Sequence, residues 1–90
     1  MDFEINPRKA ALNLQKHRVG FEEAASVFGD PLALTFPDPD HSFDESRWLL
    51  FGQSRYGRIL AVVYTVRRGR HRIISARLAT RHERKTYEED

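Results

Sequence analysis

The chain of 90 residues contains no cysteine, no long apolar run and no acidic residue between Ser46 and His82. The absence of cysteine excludes disulfides and thiolate metal sites. The longest apolar run, Ile59–Val63, is far too short to cross a membrane. The first residues are acidic and lack the basic and apolar regions of a signal peptide. We therefore expect a cytoplasmic protein with a single domain over residues 1–90.

Charge is distributed unevenly along the chain. Residues 1–46 contain 4 Lys+Arg and 9 Asp+Glu, whereas residues 47–90 contain 11 Lys+Arg and 4 Asp+Glu. The net charge of +2 is therefore the sum of −5 and +7. Such asymmetry favours a polyanion, above all nucleic acid, as the partner of the second half. Complementary surfaces within one small domain, or a solvated basic face, are the alternatives.

Two helices are predicted in the first third of the chain. Asn6 and Pro7 indicate a helix start, because Asn is a good N-cap and Pro fits the first helical position. The helix over residues 8–17 has a narrow apolar stripe of Ala10, Ala11 and Leu14. A second helix begins after Gly20 and stops at Gly29, and its apolar residues recur at helical spacing: Phe21, Ala24, Ala25 and Phe28.

The remaining segments predict four strands and a short polar helix. Strands are expected at residues 32–36, 48–51, 58–67 and 72–79, with a turn at 54–57 and a hairpin loop at 68–70. Thr80 and Glu83 have the spacing of a capping box, which starts the C-terminal helix. The predicted fold class is α+β, in the order ααββββα, with a mainly antiparallel sheet.

A two-residue turn at Gly69-Arg70 would pair Arg68 with His71, Tyr64 with Ser75, and Val62 with Arg77. One face of the hairpin would then be apolar and pack under the helices: Ile59, Ala61, Val63, Thr65, Ile74, Ala76 and Leu78. The other, open face would carry Tyr64, Arg68, His71, Ser75 and Arg77. A slip by one residue would invert this assignment, and an ordinary solvated face is the alternative.

Common phosphate-loop, dinucleotide, hydrolase and zinc motifs are absent from the sequence. The acidic segment that contains Asp38, Asp40, His41, Asp44 and Glu45 lacks the glycine and terminal glutamate of a calcium loop. We interpret this segment as an acidic turn, and we predict neither a metal nor a cofactor.

Arginine, histidine and tyrosine remain, and together they suffice to cleave RNA without a metal. The 2′-hydroxyl must lose a proton, the phosphorane must be stabilised, and the leaving 5′-oxygen must gain a proton. Arg77 would stabilise the phosphorane, and Tyr64 or a histidine would transfer protons. His17 ends the first helix, where a purely structural interaction with the helix dipole is the alternative. His71, expected at the hairpin tip, and His82 are interpreted as surface residues.

Several stretches, taken in order, resemble one family. The most specific is Arg72–Arg77, followed by Ala79-Thr80, Glu83 and Tyr87; earlier matches include Asn13, Lys16-His17, Phe21–Ala24, Asp30-Pro31, Gly57-Arg58, Tyr64-Thr65 and Arg67. On these residues the chain resembles the BrnT family of bacterial type II toxins over almost its whole length. It departs from the family pattern at Ile5-Asn6, where Trp-Asp is usual, and at Arg18–Gly20, where Gly-Val-Ser is usual.

The resemblance implies a RelE-like fold with helices on one face of an antiparallel sheet, and a ribonuclease activity that blocks translation. It also implies a BrnA-like antitoxin with a ribbon-helix-helix domain, which binds promoter DNA and forms a heterotetramer with the toxin. The family's active residues map onto Arg67 and Arg77, with Tyr64, Lys16 and His17 as companions. Lys16 and further basic residues are expected to contact RNA: Arg55, Arg58, Arg68, Arg72 and Arg81.

Two other functions are compatible with the sequence. The basic face could bind RNA or an acidic partner without cleavage, because no residue is an unambiguous general base. The departures at Ile5-Asn6 and Arg18–Gly20 also fit a degenerate toxin that is retained for transcriptional control with its antitoxin.

Overall fold

The computed structural model describes residues 1–38 and 46–89. The elements in chain order are β1 (Phe3–Glu4), α1 (Pro7–His17), α2 (Phe21–Ser26), a 3-10 turn (Val27–Gly29), β2 (Leu34–Pro37), β3 (Trp48–Gln53), β4 (Ile59–Arg67), β5 (Arg70–Leu78) and α3 (Arg81–Glu89). In the described part of the chain, no helix has the length and apolar character needed to span a membrane.

The five strands form one mixed sheet in the order β1-β5-β4-β3-β2. Strand β1 runs parallel to β5, and the other neighbours are antiparallel. The α+β class is therefore confirmed. The predicted order ααββββα and the four-stranded sheet are wrong in detail, because the two-residue strand β1 precedes the first helix and adds a fifth strand.

The helix ends follow the predicted signals. The Asn6 Oδ1 atom accepts hydrogen bonds from the backbone N–H groups of Arg8 and Lys9, at 3.0 and 3.1 Å. Helix α1 ends at His17, and Arg18 closes it in the left-handed conformation with its N–H bonded to the carbonyl of Leu14. The polar N-terminus and the basic last turn thus define α1 as expected.

The buried face of α1 differs from the predicted stripe. Leu14 is half exposed, whereas Asn13 is buried, with only 6% of its surface accessible. The side-chain amide of Asn13 faces β5, where it bonds both backbone groups of Ala76. The polar residue Asn13 therefore points to the buried side of the helix, where the apolar pattern predicts Leu14.

The core lies between the sheet and the first two helices. Its largest fully buried side chains are Leu60, Ile73, Val19, Val27 and Val62. Leu60, Val62 and Tyr64 alternate along β4 and share one cluster with Phe21 and Ala24 of α2. We call this side of the sheet the helix face and the opposite side the outer face.

Close packing also fixes one glycine on the helix face. A Cβ atom on Gly52 would lie 2.7 Å from Val27 Cγ1 and 3.0 Å from Ala33 Cβ. Strand β3 therefore approaches the 3-10 turn at a distance that only glycine permits.

The β4–β5 hairpin has a different register from the predicted one. The turn is Arg68-Gly69, with φ angles of 54° and 75°, and Arg67 pairs with Arg70. Ile74 is an extra residue in β5, because Tyr64 pairs with Ile73 whereas Val63 pairs with Ser75. This β-bulge shifts which side chains of β5 point to each face.

Candidate functional site

A row of basic residues lies along the outer face of the hairpin. Directly paired residues of antiparallel strands point to the same side of a sheet. Ala61 pairs with Arg77, Thr65 with Arg72, and Arg67 with Arg70, and these β4 residues alternate with the core residues of the helix face. We call the set of Arg67, Arg70, Arg72, Ser75 and Arg77 the arginine row.

The arginine row corrects the predicted distribution of side chains. Tyr64 does not share a face with Arg77, because it points into the helix-face core. Arg67 and Arg72, which were not on the predicted open face, lie on the same side as Arg77. Arg68 lies in the turn itself and is exposed.

The outer face is not an open surface throughout. Phe51, Ala61 and Thr65 are buried there, and the Thr65 hydroxyl donates to the carbonyl of Ser46 at 2.6 Å. The two predicted faces of β4 are therefore exchanged: Tyr64, expected on the open face, lies in the core, whereas Ala61 and Thr65, expected under the helices, are buried on the outer face. The basic groups stand around this buried centre, with Arg67, Arg70 and Arg72 near the hairpin end and Arg77 near α3.

Tyr64 belongs to an aromatic cluster on the helix face. Its ring lies 4.8 Å from Phe28 and 5.5 Å from His71, and Phe3 packs against Phe28 at 5.1 Å, measured between ring centroids. His71 is thus packed within β5 and not at a hairpin tip as predicted, and its Nδ1 atom is buried with no hydrogen-bond partner in the described part of the chain. His82 lies exposed in the first turn of α3, as expected.

Arg77 is held by a carboxylate from the first turn of α3. Its Nη1 atom donates to Glu83 Oε1 at 2.6 Å, and its Nη2 atom donates to Glu83 Oε2 at 3.0 Å. The hydrogen bond between them raises the pKa of Arg77 and lowers the pKa of Glu83. Arg77 is therefore a fixed cation that remains 39% exposed.

A groove between α1 and β5 collects a second set of basic residues. It encloses about 270 Å³ and is lined by Lys9, Leu12, Asn13, Lys16, His17, Ile74 and Ser75. Ser75 belongs to the arginine row as well, so the groove and the row meet at β5. The structure thus places Lys16, His17 and Lys9 in one groove with Ser75 of β5, and their role in a site stays a prediction.

Arg58 has a structural partner. Its guanidinium forms a bidentate interaction with the buried carboxylate of Glu23, including a bond from Nε to Oε2 of 2.9 Å. The Ser54 hydroxyl donates to the same carboxylate at 2.7 Å. These bonds, that of Arg58 first, lower the pKa of Glu23 although burial opposes them. Arg58 joins α2 to the β3–β4 turn, and its predicted contact with RNA stays a prediction.

The other predicted RNA contacts are dispersed. Arg55 lies over the ring of Tyr56 at 5.0 Å and within 3.9 Å of Glu22. Arg81 is exposed on α3 beside a groove that also contains Arg84, Lys85 and Glu88. Arg55 and Arg58 thus have partners away from the arginine row, whereas Arg81 stands in the same first turn of α3 as Glu83, which bonds Arg77.

In residues 1–38 and 46–89, no three His, Asp or Glu side chains are grouped as metal ligands. Most of the acidic segment that we interpret as a turn, including Asp40, His41, Asp44 and Glu45, lies outside the described residues.

Sequence reasoning missed the two carboxylates that hold arginines, Glu23 and Glu83. A signal for Glu83 was present, because the capping box places its side chain at the start of α3, six residues after Arg77. Glu23 offered none, since its partner Arg58 lies 35 residues away.

Comparison with known proteins identifies the family. A family described as the ribonuclease toxin BrnT of type II toxin–antitoxin systems matches residues 6–83. The crystal structure of the Brucella abortus ribonuclease toxin BrnT matches with a TM-score of 0.69 and 21% sequence identity, covering 90% of this chain and 99% of that one. No curated protein matches the chain. The family match covers most of the chain and the structural match shows the same fold, so the chain belongs to the BrnT family of type II ribonuclease toxins.

Proposed function

We propose that this chain is a metal-independent endoribonuclease that stops translation and that cleaves RNA at the arginine row. The observation that carries the proposal is Arg77, a fixed and partly exposed cation on the same face as Arg67 and Arg72. The phosphodiester gains negative charge as it becomes a phosphorane. A guanidinium that is already oriented stabilises this charge without having to move during the reaction.

The groove beside the arginine row supplies the remaining roles. Lys16 is proposed to bind the RNA backbone, and His17 to move protons to or from the reacting oxygens. Support comes from their position in one groove with Ser75, which belongs to both features. Tyr64 is a weaker proposal for proton transfer, because its ring packs on the helix face.

The first experiment is RNA cleavage by the purified chain in excess EDTA. We expect cleavage to persist, and Arg77→Ala to slow it about 100-fold, as for the loss of one oxyanion donor. Arg8→Ala is the matched control, because Arg8 is an exposed arginine at the start of α1. Loss of cleavage in EDTA would contradict the metal-independent mechanism, and a fully active Arg77→Ala variant would remove Arg77 from the site.

The same preparation distinguishes cleavage from simple binding. A non-catalytic module would bind RNA with a steep dependence on salt and would leave it intact.

Expression in cells without the antitoxin tests the consequence for translation: we expect growth arrest with loss of amino-acid incorporation. Normal growth with the unaltered chain would indicate a degenerate toxin.

The family implies an antitoxin partner, which we propose to be BrnA-like with a ribbon-helix-helix domain. A partner that covers the arginine row has to present acidic side chains there, since a buried arginine without a counter-charge is costly. We expect co-purified toxin and antitoxin to form a heterotetramer that binds promoter DNA through the antitoxin. Light scattering of the complex and chemical protection of Arg77 would test this arrangement.

A further inference from the structure

Glu83 connects the start of α3 to the arginine row through a carboxylate that is fixed at both oxygens. Oε1 accepts from Arg77 Nη1 at 2.6 Å and from the Thr80 backbone N–H at 2.8 Å, and Oε2 accepts from Arg77 Nη2 at 3.0 Å. The backbone N–H of Glu83 in turn donates to Thr80 Oγ1 at 3.2 Å, which completes the capping box.

Glu83 bonds only one of the two hydrogen-bonding edges of the Arg77 guanidinium. A guanidinium has two pairs of parallel N–H groups that can each bind two oxygens. The terminal fork is formed by Nη1 and Nη2, and the Nε fork is formed by Nε–H and the Nη2 hydrogen on the same side. Glu83 occupies the terminal fork, and Leu78 accepts a further, longer bond of 3.3 Å from Nη1. No residue within 1–38 or 46–89 accepts a hydrogen bond from Arg77 Nε.

Glu83 is the more buried side chain of the pair, which suits a residue that holds another, and Arg77 is the more exposed, which suits a residue that binds a ligand. The side chain of Glu83 is 14% exposed, whereas that of Arg77 is 39% exposed. Glu83 cannot swing away without losing the capping box, so it restrains the long Arg77 side chain in one orientation. Only the terminal fork is bonded to Glu83, and the Arg77 side chain as a whole keeps 39% of its surface exposed.

We propose that Glu83 is a positioning residue, which holds Arg77 by its terminal fork so that the Nε fork binds two oxygens of a phosphodiester. The inference rests on the proposed cleavage of RNA at Arg77 and names the contact that this reaction uses. A carboxylate that merely competed with RNA for Arg77 would have the opposite effect when it is replaced.

The kinetic test compares Glu83→Gln with the wild type in single-turnover RNA cleavage. We expect the rate at saturation to fall about 10-fold, with RNA affinity changed less than about threefold, because orientation matters most in the transition state. Glu88→Gln is the matched control, since Glu88 is exposed on the same helix. Glu83→Asp keeps the charge and tests for partial rescue, and urea unfolding confirms that each variant is folded.

A double-mutant cycle shows whether Glu83 acts through Arg77. In the Arg77→Ala background, Glu83→Gln is expected to change the rate less than about twofold, because nothing remains to be positioned. A Glu83→Gln variant as fast as the wild type or faster would overturn the proposal. An equal loss in both backgrounds would also overturn it, because Glu83 would then act independently of Arg77.

A binding readout separates this inference from the proposed activity. The Nε–H signal of Arg77 is followed by NMR while an oligodeoxyribonucleotide, which lacks the 2′-hydroxyl and cannot be cleaved this way, is added. We expect the signal to shift in the wild type and to shift clearly less at the same occupancy in Glu83→Gln, because the guanidinium is then no longer held in one orientation. This result would support the inference even if the chain did not cleave RNA, whereas an unchanged wild-type signal would overturn it.

Discussion

Asn13 joins helix α1 to the edge of strand β5 by its side-chain amide. Its Nδ2 atom donates to the carbonyls of Val19 at 2.9 Å and Ala76 at 2.8 Å, and its Oδ1 atom accepts from the Ala76 N–H at 3.1 Å. Strand β1 pairs with β5 only at His71 and Arg72. At Ala76 the amide therefore takes the place of a neighbouring strand, and we predict that Asn13→Ala destabilises the fold.

The size of the effect follows from the three hydrogen bonds. Asn13 is 6% exposed, so its replacement leaves three backbone groups without partners in a region that water reaches poorly. At about 1 kcal/mol for each bond, Asn13→Ala should lower the free energy of unfolding by about 3 kcal/mol. A domain of this size has a total of roughly 5–13 kcal/mol. Asn13→Asp should cost more at neutral pH, because it turns an acceptor toward two carbonyls and buries a charge.

Equilibrium unfolding in urea measures this effect through the fluorescence of Trp48. With a slope of about 1–1.5 kcal/mol per molar urea, the midpoint of Asn13→Ala should fall by about 2 M or more. Gln15→Ala is the control, because Gln15 is exposed on the same helix. A loss below about 1 kcal/mol for Asn13→Ala would refute the view that the amide substitutes for a strand.

Two further predictions concern packing and pH. Gly52→Ala should destabilise the fold by about 1–3 kcal/mol, because the added Cβ would lie 2.7 Å from Val27 Cγ1. Gly29→Ala is the control and should be close to neutral, because a Cβ there would have no atom within 4 Å. Equal thermal unfolding midpoints of the two variants would contradict this. The pKa of Glu23 is lowered by Arg58, so its stabilising contribution is present at neutral pH and is lost as the pH falls below the ordinary value of 4.5. Glu23→Gln should therefore lose less stability than the wild type on acidification, and parallel profiles would argue against this role.

Local signals predicted the helices because their evidence lies in adjacent residues. Asn6, Pro7 and the Thr80–Glu83 capping box define helix starts, and the structure has helices at these positions. Strand β1 escaped prediction because two residues carry no periodicity, and its pairing depends on a distant strand, as in the bond from His71 N–H to the Asp2 carbonyl of 2.9 Å. Leu14 was assigned to the buried side because periodicity counts apolar residues, whereas Asn13 is buried for its hydrogen bonds.

The candidate site depends on a feature that neither propensity nor alternation reveals, the extra residue Ile74 in β5. The Arg68-Gly69 turn alone would pair Arg77 with Leu60, a fully buried residue of the helix face. The bulge shifts β5 by one residue, so that Arg77 pairs with Ala61 instead and points to the outer face with Arg72. A shift by one residue reverses every side chain that follows. The composition therefore indicated a basic sheet, but only the bulge places Arg77 on the same face as Arg67 and Arg72, where Glu83 can hold it.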